Sequence, residues 1–264
     1  MSRIGEQLQR LHKPMTSLGF GFATASTAKR RMLVVVRVDE SLDEQQMTTA
    51  LVAADAAVVV PGSANGDSLL EIVEGQHRNI PLGVWVCPGP DLPAEAAATY
   101  CDFLVCDIEG PADAVVQKTK GCLMRVEPGM EASRLRAIAE IGADAIVVAA
   151  DTLDLTRLSA LVECRRAHAL SGKPVVLQIR DVLDEAQVVA LWRSGVDALL
   201  FDASVGAEVL AGIRATVDSA SFEARDGSSG ASPTIGAHVG ALSQSDAGDA
   251  DGGDGGEDDD DDDE

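Results

Sequence analysis

The chain has 264 residues and a mass of 27.4 kDa; 46% of its residues are hydrophobic, 24% are charged, and its formal net charge is −22. This length and composition suit one globular domain of roughly 200 residues with additional terminal segments. No apolar run approaches the roughly 20 residues that cross a bilayer, and the chain does not start with the apolar stretch of a signal peptide. We therefore expect a soluble, cytoplasmic protein without a transmembrane segment.

The five cysteines are odd in number and scattered through apolar stretches, and no two of them form a CxxC pair. This usage argues against a disulfide framework and against a structural zinc site. We expect neither haem nor an iron–sulfur cluster.

Residues 1–31 form a basic N-terminal arm with six Lys or Arg residues and a single acid. Within the arm, Ile4, Leu8 and Leu11 recur at i, i+4 and i+7, which predicts a short helix that ends near Pro14. Two interpretations are open. The arm either plugs one end of the body or docks against the acidic body or a second subunit.

Residues 219–264 form a Gly-, Ser- and Asp-rich tail with one arginine and 14 acids, closing on Glu257, six aspartates and Glu264. Self-repulsion and the lack of apolar residues predict that this tail is disordered. Its role is either to keep the protein soluble or to bind a basic protein partner or a cation.

A fourfold repeat organises residues 32–218. In each copy an aspartate leads into an apolar run, and the aspartates are Asp55, Asp102, Asp144 and Asp197, spaced by 47, 42 and 53 residues. Four further apolar runs alternate with these copies: 33–38, 82–86, 122–126 and 175–179. Eight short runs rich in β-branched residues predict buried parallel strands.

Helical spacing of apolar residues fills the gaps between these runs. The clearest predicted helices are 40–54, 131–142, 152–171, 182–194 and 204–218. Gly142, Gly172 and Gly195 stand where three of them should end. Strands alternating with helices predict a compact (β/α)8 TIM-type barrel over residues 32–218. An open doubly wound sheet is the alternative.

Two of the predicted strands follow similar turns, Gly142-Ala143-Asp144 and Gly195-Val196-Asp197. Over residues 32–218 the chain resembles the broad superfamily of small TIM barrels, whose even strands often follow a Gly-Ala-Asp-like turn. The resemblance implies the architecture, which many different chemistries share.

In a TIM barrel the chemistry takes place where strands end and the loops to the helices begin. A charged side chain within a strand avoids the apolar helix layer, so Arg37 and Arg125 should point into the barrel. The period of two and the layered interior then predict one layer of Arg37, Trp85, Arg125 and Gln178, and above it Asp39, Cys87, Glu127 and Arg180. The even strands are expected to contribute mainly Ala, Val, Leu and Phe.

This cluster has two interpretations. In the first, polar side chains bind the carboxylate or phosphate of a small anionic metabolite. The binding residues are then Arg37, Arg125, Gln178 and Arg180. Asp39 and Glu127 then act as general acid and base or hold Mg²⁺. In the second, Arg37–Asp39 and Arg125–Glu127 neutralise each other as a buried ion network.

The functional hypothesis is a small TIM-barrel enzyme or ligand binder for such a metabolite, with carboxylate-based lyase, isomerase or aldol-type chemistry. Lysine and histidine are missing from the predicted strand ends, which argues against a Schiff base and against a histidine-rich metal site. The alternative is a non-catalytic scaffold that binds protein partners through its basic arm and acidic tail. The barrel itself lacks the basic footprint that nucleic acid requires.

Overall fold

The computed structural model describes residues 2–12, 31–61, 73, 75, 79–86, 101–110, 112, 120–150 and 153–222. The chain divides into two compact units, Met1–Arg225 and Asp226–Glu264, and the described residues all belong to the first. Most of the predicted acidic tail and residues 13–30 of the predicted arm lie outside the described residues. In the described part of the chain, no helix is both long and apolar enough to cross a membrane.

Eight parallel strands form a closed barrel in chain order, because the first strand pairs with both the second and the eighth. The strands are β1 (Leu33–Asp39), β2 (Ala56–Val60), β3 (Leu82–Val86), β4 (Phe103–Asp107), β5 (Gly121–Val126), β6 (Ala145–Ala149), β7 (Val175–Ile179) and β8 (Val196–Asp202). This closure confirms the predicted (β/α)8 barrel. It also excludes the open doubly wound sheet.

In the part of the chain that the structure describes, the helices with defined bounds are α1 (Arg3–His12), α2 (Glu44–Val52), α3 (Ala132–Glu140), α4 (Leu158–Ser171), α5 (Glu185–Arg193) and α6 (Ala207–Ser219). The five helices α2 to α6 are shorter than predicted, and in two of them a polar side chain fixes the first turn. Asp43 and Asp184 each form a capping box that starts the following helix, α2 or α5. Gly172 ends α4 in the left-handed region with φ 62°, where a residue without Cβ is favoured.

The repeated aspartates lie at the amino-terminal ends of the even strands and fasten neighbouring strands together. Each carboxylate accepts the backbone N–H of a residue at the start of the preceding odd strand. The bonds are Val34–Asp55 (2.9 Å), Leu82–Asp102 (3.0 Å), Cys122–Asp144 (3.1 Å) and Val175–Asp197 (2.9 Å). The motif that predicts the fold therefore has a structural role, at the end of a TIM barrel where stability is determined.

Helix α1 closes that amino-terminal end of the barrel. Ile4 and Leu8, only 1% and 0% exposed, pack in one cluster with the inward-facing residues of the strands. Arg3 donates to the Asn79 carbonyl at 2.8 Å and forms an ion pair with Asp102 at 3.3 Å. For this helix, the structure shows the plug that was one of the two interpretations of the arm.

Side chains alternate between the barrel interior and the helix-covered face along each strand. On β1, Leu33 and Val35 belong to the inner cluster, whereas Val34 and Val36 pack towards the helices. Gly83 on β3 leaves room inside for the Phe103 ring, which a Cβ at that position would overlap. The same alternation directs the next odd positions of β1, including Arg37, into the carboxyl-terminal mouth.

Candidate functional site

The strand register arranges the mouth of the barrel into layers. Around the barrel, each strand is shifted by about one residue relative to the strand before it. A residue on one odd strand therefore lies level with the residue that is two positions beyond its register partner on the next odd strand. The odd strands contribute Arg37, Trp85, Arg125 and Gln178 to one layer. The even strands contribute Val60, Asp107, Ala149 and Asp202 to the next layer towards the carboxyl-terminal end.

Arg37 pairs with Asp202 on the neighbouring strand. The two residues are register partners in β1 and β8, and Arg37 Nη2 lies 2.5 Å from Asp202 Oδ2. Both side chains are largely buried, with exposed fractions of 27% and 20%. The Arg37 guanidinium also lies over the Trp85 ring, 5.8 Å from its centroid, at a distance suited to a cation–π contact.

Arg125 forms the corresponding pair on the other side of the barrel. Its Nη1 lies 3.1 Å from Asp107 Oδ1 on β4, and its Nη2 lies 2.8 Å from Glu127 Oε1. Trp85 Nε1 donates to the other oxygen of Asp107 at 3.5 Å. A continuous set of polar contacts therefore crosses the mouth from Asp202 to Glu127.

The Asp202 carboxyl is held in its ionised form. Burial raises its pKa, but hydrogen bonds from Ser204 and the nearby Arg37 guanidinium outweigh that effect, and the pKa of Asp202 lies below its ordinary value. The Ser204 amide donates at 3.0 Å. The lowered pKa favours the carboxylate form of Asp202, which suits a counter-ion of Arg37.

The even strands contribute the apolar Val60 and Ala149 to the mouth, and also Asp107 and Asp202, which end β4 and β8. One of the two predicted ion pairs is absent. Arg37 does not pair with Asp39, although Arg125 does contact Glu127 two positions further along its own chain segment; the Arg37 guanidinium contacts Asp202 instead. The Asp39 carboxylate instead accepts hydrogen bonds from the Ser41 amide, at 2.9 Å, and from the Ser41 hydroxyl.

Asp39 and Glu127 do not meet. They follow β1 and β5, which are four strands apart around the barrel, and each has a different partner. Among the described residues, no group of three or more His, Cys, Asp or Glu side chains is close enough to hold a metal ion. These two carboxylates do not fit a shared Mg²⁺ site, and we assign no step to that ion.

Gln178 and Arg37 carry polar atoms that the described residues leave unpaired. Gln178 is 9% exposed, and its Oε1 has no hydrogen-bond partner there; the same holds for the buried Nε of Arg37. One further buried side-chain atom of this kind is described, Oε1 of Gln7 on α1. Two of the three atoms thus occur in a single layer, on the odd strands that flank β8.

The remaining predicted residues lie at the edge of this site or outside the description. Arg180 is exposed in the loop that follows β7. Cys87 lies outside the described residues. Cys106 on β4 faces the helix layer and is buried among apolar residues, which is typical of a packing role.

The contacts at the mouth repeat with an approximate twofold relation. Arg37-Val38-Asp39 on β1 corresponds to Arg125-Val126-Glu127 on β5, and Asp202 on β8 corresponds to Asp107 on β4. Each pair of equivalent strands is four positions apart in the ring of eight. This twofold pattern, visible in the printed sequence, is the signal that identifies the two aspartates as partners of the arginines.

No family model matches the chain, and no curated protein matches it significantly. Solved structures of tryptophan synthase are similar to it. One from M. tuberculosis has a TM-score of 0.58 at 15% identity, over 82% of this chain and 97% of that chain. A mutant alpha-subunit from the hyperthermophile Pyrococcus furiosus has a TM-score of 0.56 at 16% identity, over 71% and 96%. At this identity the likeness shows the TIM-barrel fold alone.

Proposed function

We propose that this barrel binds a small metabolite with a carboxylate or phosphate group in its carboxyl-terminal mouth. The observation that carries the proposal is the pair of buried atoms Arg37 Nε and Gln178 Oε1, which have no hydrogen-bond partner among the described residues. A buried ion network that serves only stability satisfies its own polar groups, because each unsatisfied one destabilises the fold by about 1–3 kcal/mol. Atoms left unpaired where TIM barrels do their chemistry indicate a place for a ligand.

The two arginines are suited to hold such a ligand. Their planar guanidinium groups form paired hydrogen bonds with carboxylate or phosphate oxygens. Each is already oriented by an aspartate on an adjacent strand, so little side-chain entropy remains to be lost on binding. Arg37 and Arg125 are therefore proposed as the primary anchors, with Gln178 beside them and Arg180 at the rim.

The chemistry proposed for the site is proton transfer of the lyase or isomerase type. Glu127 is the favoured acid–base group because its side chain is 58% exposed at the mouth and contacts Arg125. Asp39 is the second candidate, although its carboxylate is engaged by Ser41. The likeness in fold to tryptophan synthase alpha-subunits supports an enzymatic origin only at the level of architecture.

The test is a thermal-shift and calorimetric screen of the full chain against acetate, lactate, succinate, inorganic phosphate and glycerol phosphate. Binding raises the unfolding free energy by about 2.7 kcal/mol at a hundredfold excess over Kd. We expect the shift to vanish in Arg37→Met combined with Asp202→Asn, which removes both charges and so avoids an unpaired buried ion. Arg136→Met, on the exposed face of α3, should bind like the wild type.

Absence of binding across the panel would contradict this proposal. The same holds for binding that persists in the double variant. Either result would favour the scaffold alternative, in which the barrel has no ligand and the charged termini make the interactions.

A further inference from the structure

We infer that the ligand is a small zwitterion, an amino acid or a close relative, that carries a protonated amine beside its carboxylate. This inference rests on the proposed function and specifies the class of metabolite. It follows from the charge balance of the mouth and from the chemistry of its two unpaired atoms.

The mouth is not a positive pocket. Arg37 and Arg125 are each paired with an aspartate, and Glu127 adds a third carboxylate to the same set of contacts. A simple anion can accept hydrogen bonds from the two arginines, but their charges are already balanced by the carboxylates beside them, so it should bind more weakly than a ligand with both signs of charge. Each end of such a ligand has an opposite charge nearby.

The two atoms that the described residues leave unpaired require opposite partners. Arg37 Nε–H is a donor and needs an acceptor, whereas Gln178 Oε1 is an acceptor and needs a donor. An anion alone satisfies Arg37 and leaves Gln178 unpaired. An amine alone does the reverse.

The strand order brings these two requirements together. Gln178 on β7 and Arg37 on β1 belong to one layer and flank β8, whose inward-facing Asp202 lies in the next layer. A carboxylate that accepts from Arg37 Nε–H places an α-ammonium group towards Gln178 Oε1 and the ionised Asp202. An ammonium ion gains more from that acceptor pair than a hydroxyl group, because charge-assisted hydrogen bonds are about twice as strong as neutral ones.

The experiment compares matched triads that differ only in one substituent. The full chain is titrated at pH 7 with alanine, lactate and propionate, with aspartate, malate and succinate, and with phenylalanine, phenyllactate and phenylpropionate. In at least one triad the amino acid should bind at least tenfold tighter than the compound with hydrogen in place of the amine. The hydroxy acid should lie between them.

The variant Gln178→Met removes the acceptor and keeps a side chain of similar length. It should reduce the advantage of the amino acid over the unsubstituted acid severalfold. Gln45→Met, at an exposed position on α2, is the matched control and should leave both affinities unchanged.

Equal affinities within every triad would overturn the zwitterion assignment and leave the proposed function standing, since carboxylates would still bind. Hydroxy acids that bind as tightly as amino acids would also overturn it, because the donor would then be a hydroxyl group. If no compound binds, both proposals fail. An amino-acid preference that survives Gln178→Met would contradict the role given to that residue.

Discussion

Arg37 has its partner on a neighbouring strand, and this shows how the register determines the chemistry of single residues. The nearby Asp39 carboxylate accepts a hydrogen bond from Ser41. Asp202, 165 positions further along the chain than Arg37, is its register partner in the sheet and its ion-pair partner. The alternation of side chains between the two faces of a strand is sufficient to predict that Arg37 points inward. This alternation does not say which acid is the register partner of Arg37, because the register depends on how β8 closes the barrel against β1.

The pair predicts a loss of stability in Asp202→Asn. Removing the charge leaves Arg37 partly buried without its counter-ion, and the unfolding free energy at pH 7 should fall by about 1–3 kcal/mol, between the values for exposed and fully buried pairs. Urea unfolding measures the change. Asp181→Asn, in the exposed loop after β7, is the control and should have little effect.

The same substitution has a predicted pH dependence. Because the folded-state pKa of Asp202 is below its ordinary value, its contribution is complete above the unfolded-state pKa of about 3.9 and is lost as the pH falls through the folded-state pKa. The difference in unfolding free energy between wild type and Asp202→Asn should therefore be constant from pH 7 to about pH 5 and shrink below about pH 4. A difference that persists unchanged to pH 3 would contradict the assignment.

At the scale of elements, the fourfold aspartate repeat joins odd and even strands at the amino-terminal end of the barrel. Asp197 is fully buried and accepts the Val175 N–H at 2.9 Å, so Asp197→Ala leaves a buried donor without that acceptor. Its unfolding free energy should fall by about 2–3 kcal/mol in urea. Asp102→Ala should lose less, because Asp102 is 24% exposed and water can replace the carboxylate. Equal losses would contradict this explanation.

Helix α1 closes the amino-terminal end of the barrel. Leu8 is fully buried in the inner cluster, so Leu8→Ala should destabilise the protein by about 2–5 kcal/mol through lost burial and a residual cavity. Gln9→Ala, on the exposed side of the helix, should have almost no effect. If the urea unfolding curves of Leu8→Ala and Gln9→Ala coincided, α1 would not be part of the cooperative core.

At the scale of the whole molecule, the barrel can be predicted from sequence more fully than its site. Apolar runs and the positions of Asp55, Asp102, Asp144 and Asp197 identify all eight strands because burial and period are local properties. The partners of Arg37 and Arg125 depend on contacts between distant segments. Asp107 and Asp202 end their strands, but the register that places them opposite Arg125 and Arg37 is set by those contacts.

The central claim is that the charged mouth is organised for a ligand and not only for stability. Gln178→Leu tests it most directly, by the unfolding free energy of the ligand-free protein, with Gln45→Leu as control. If Oε1 awaits a ligand, replacing the amide with an apolar side chain removes an unsatisfied buried group and should raise that free energy by about 1 kcal/mol. A decrease of 1 kcal/mol or more would contradict the claim, because it would show that the amide already stabilises the fold.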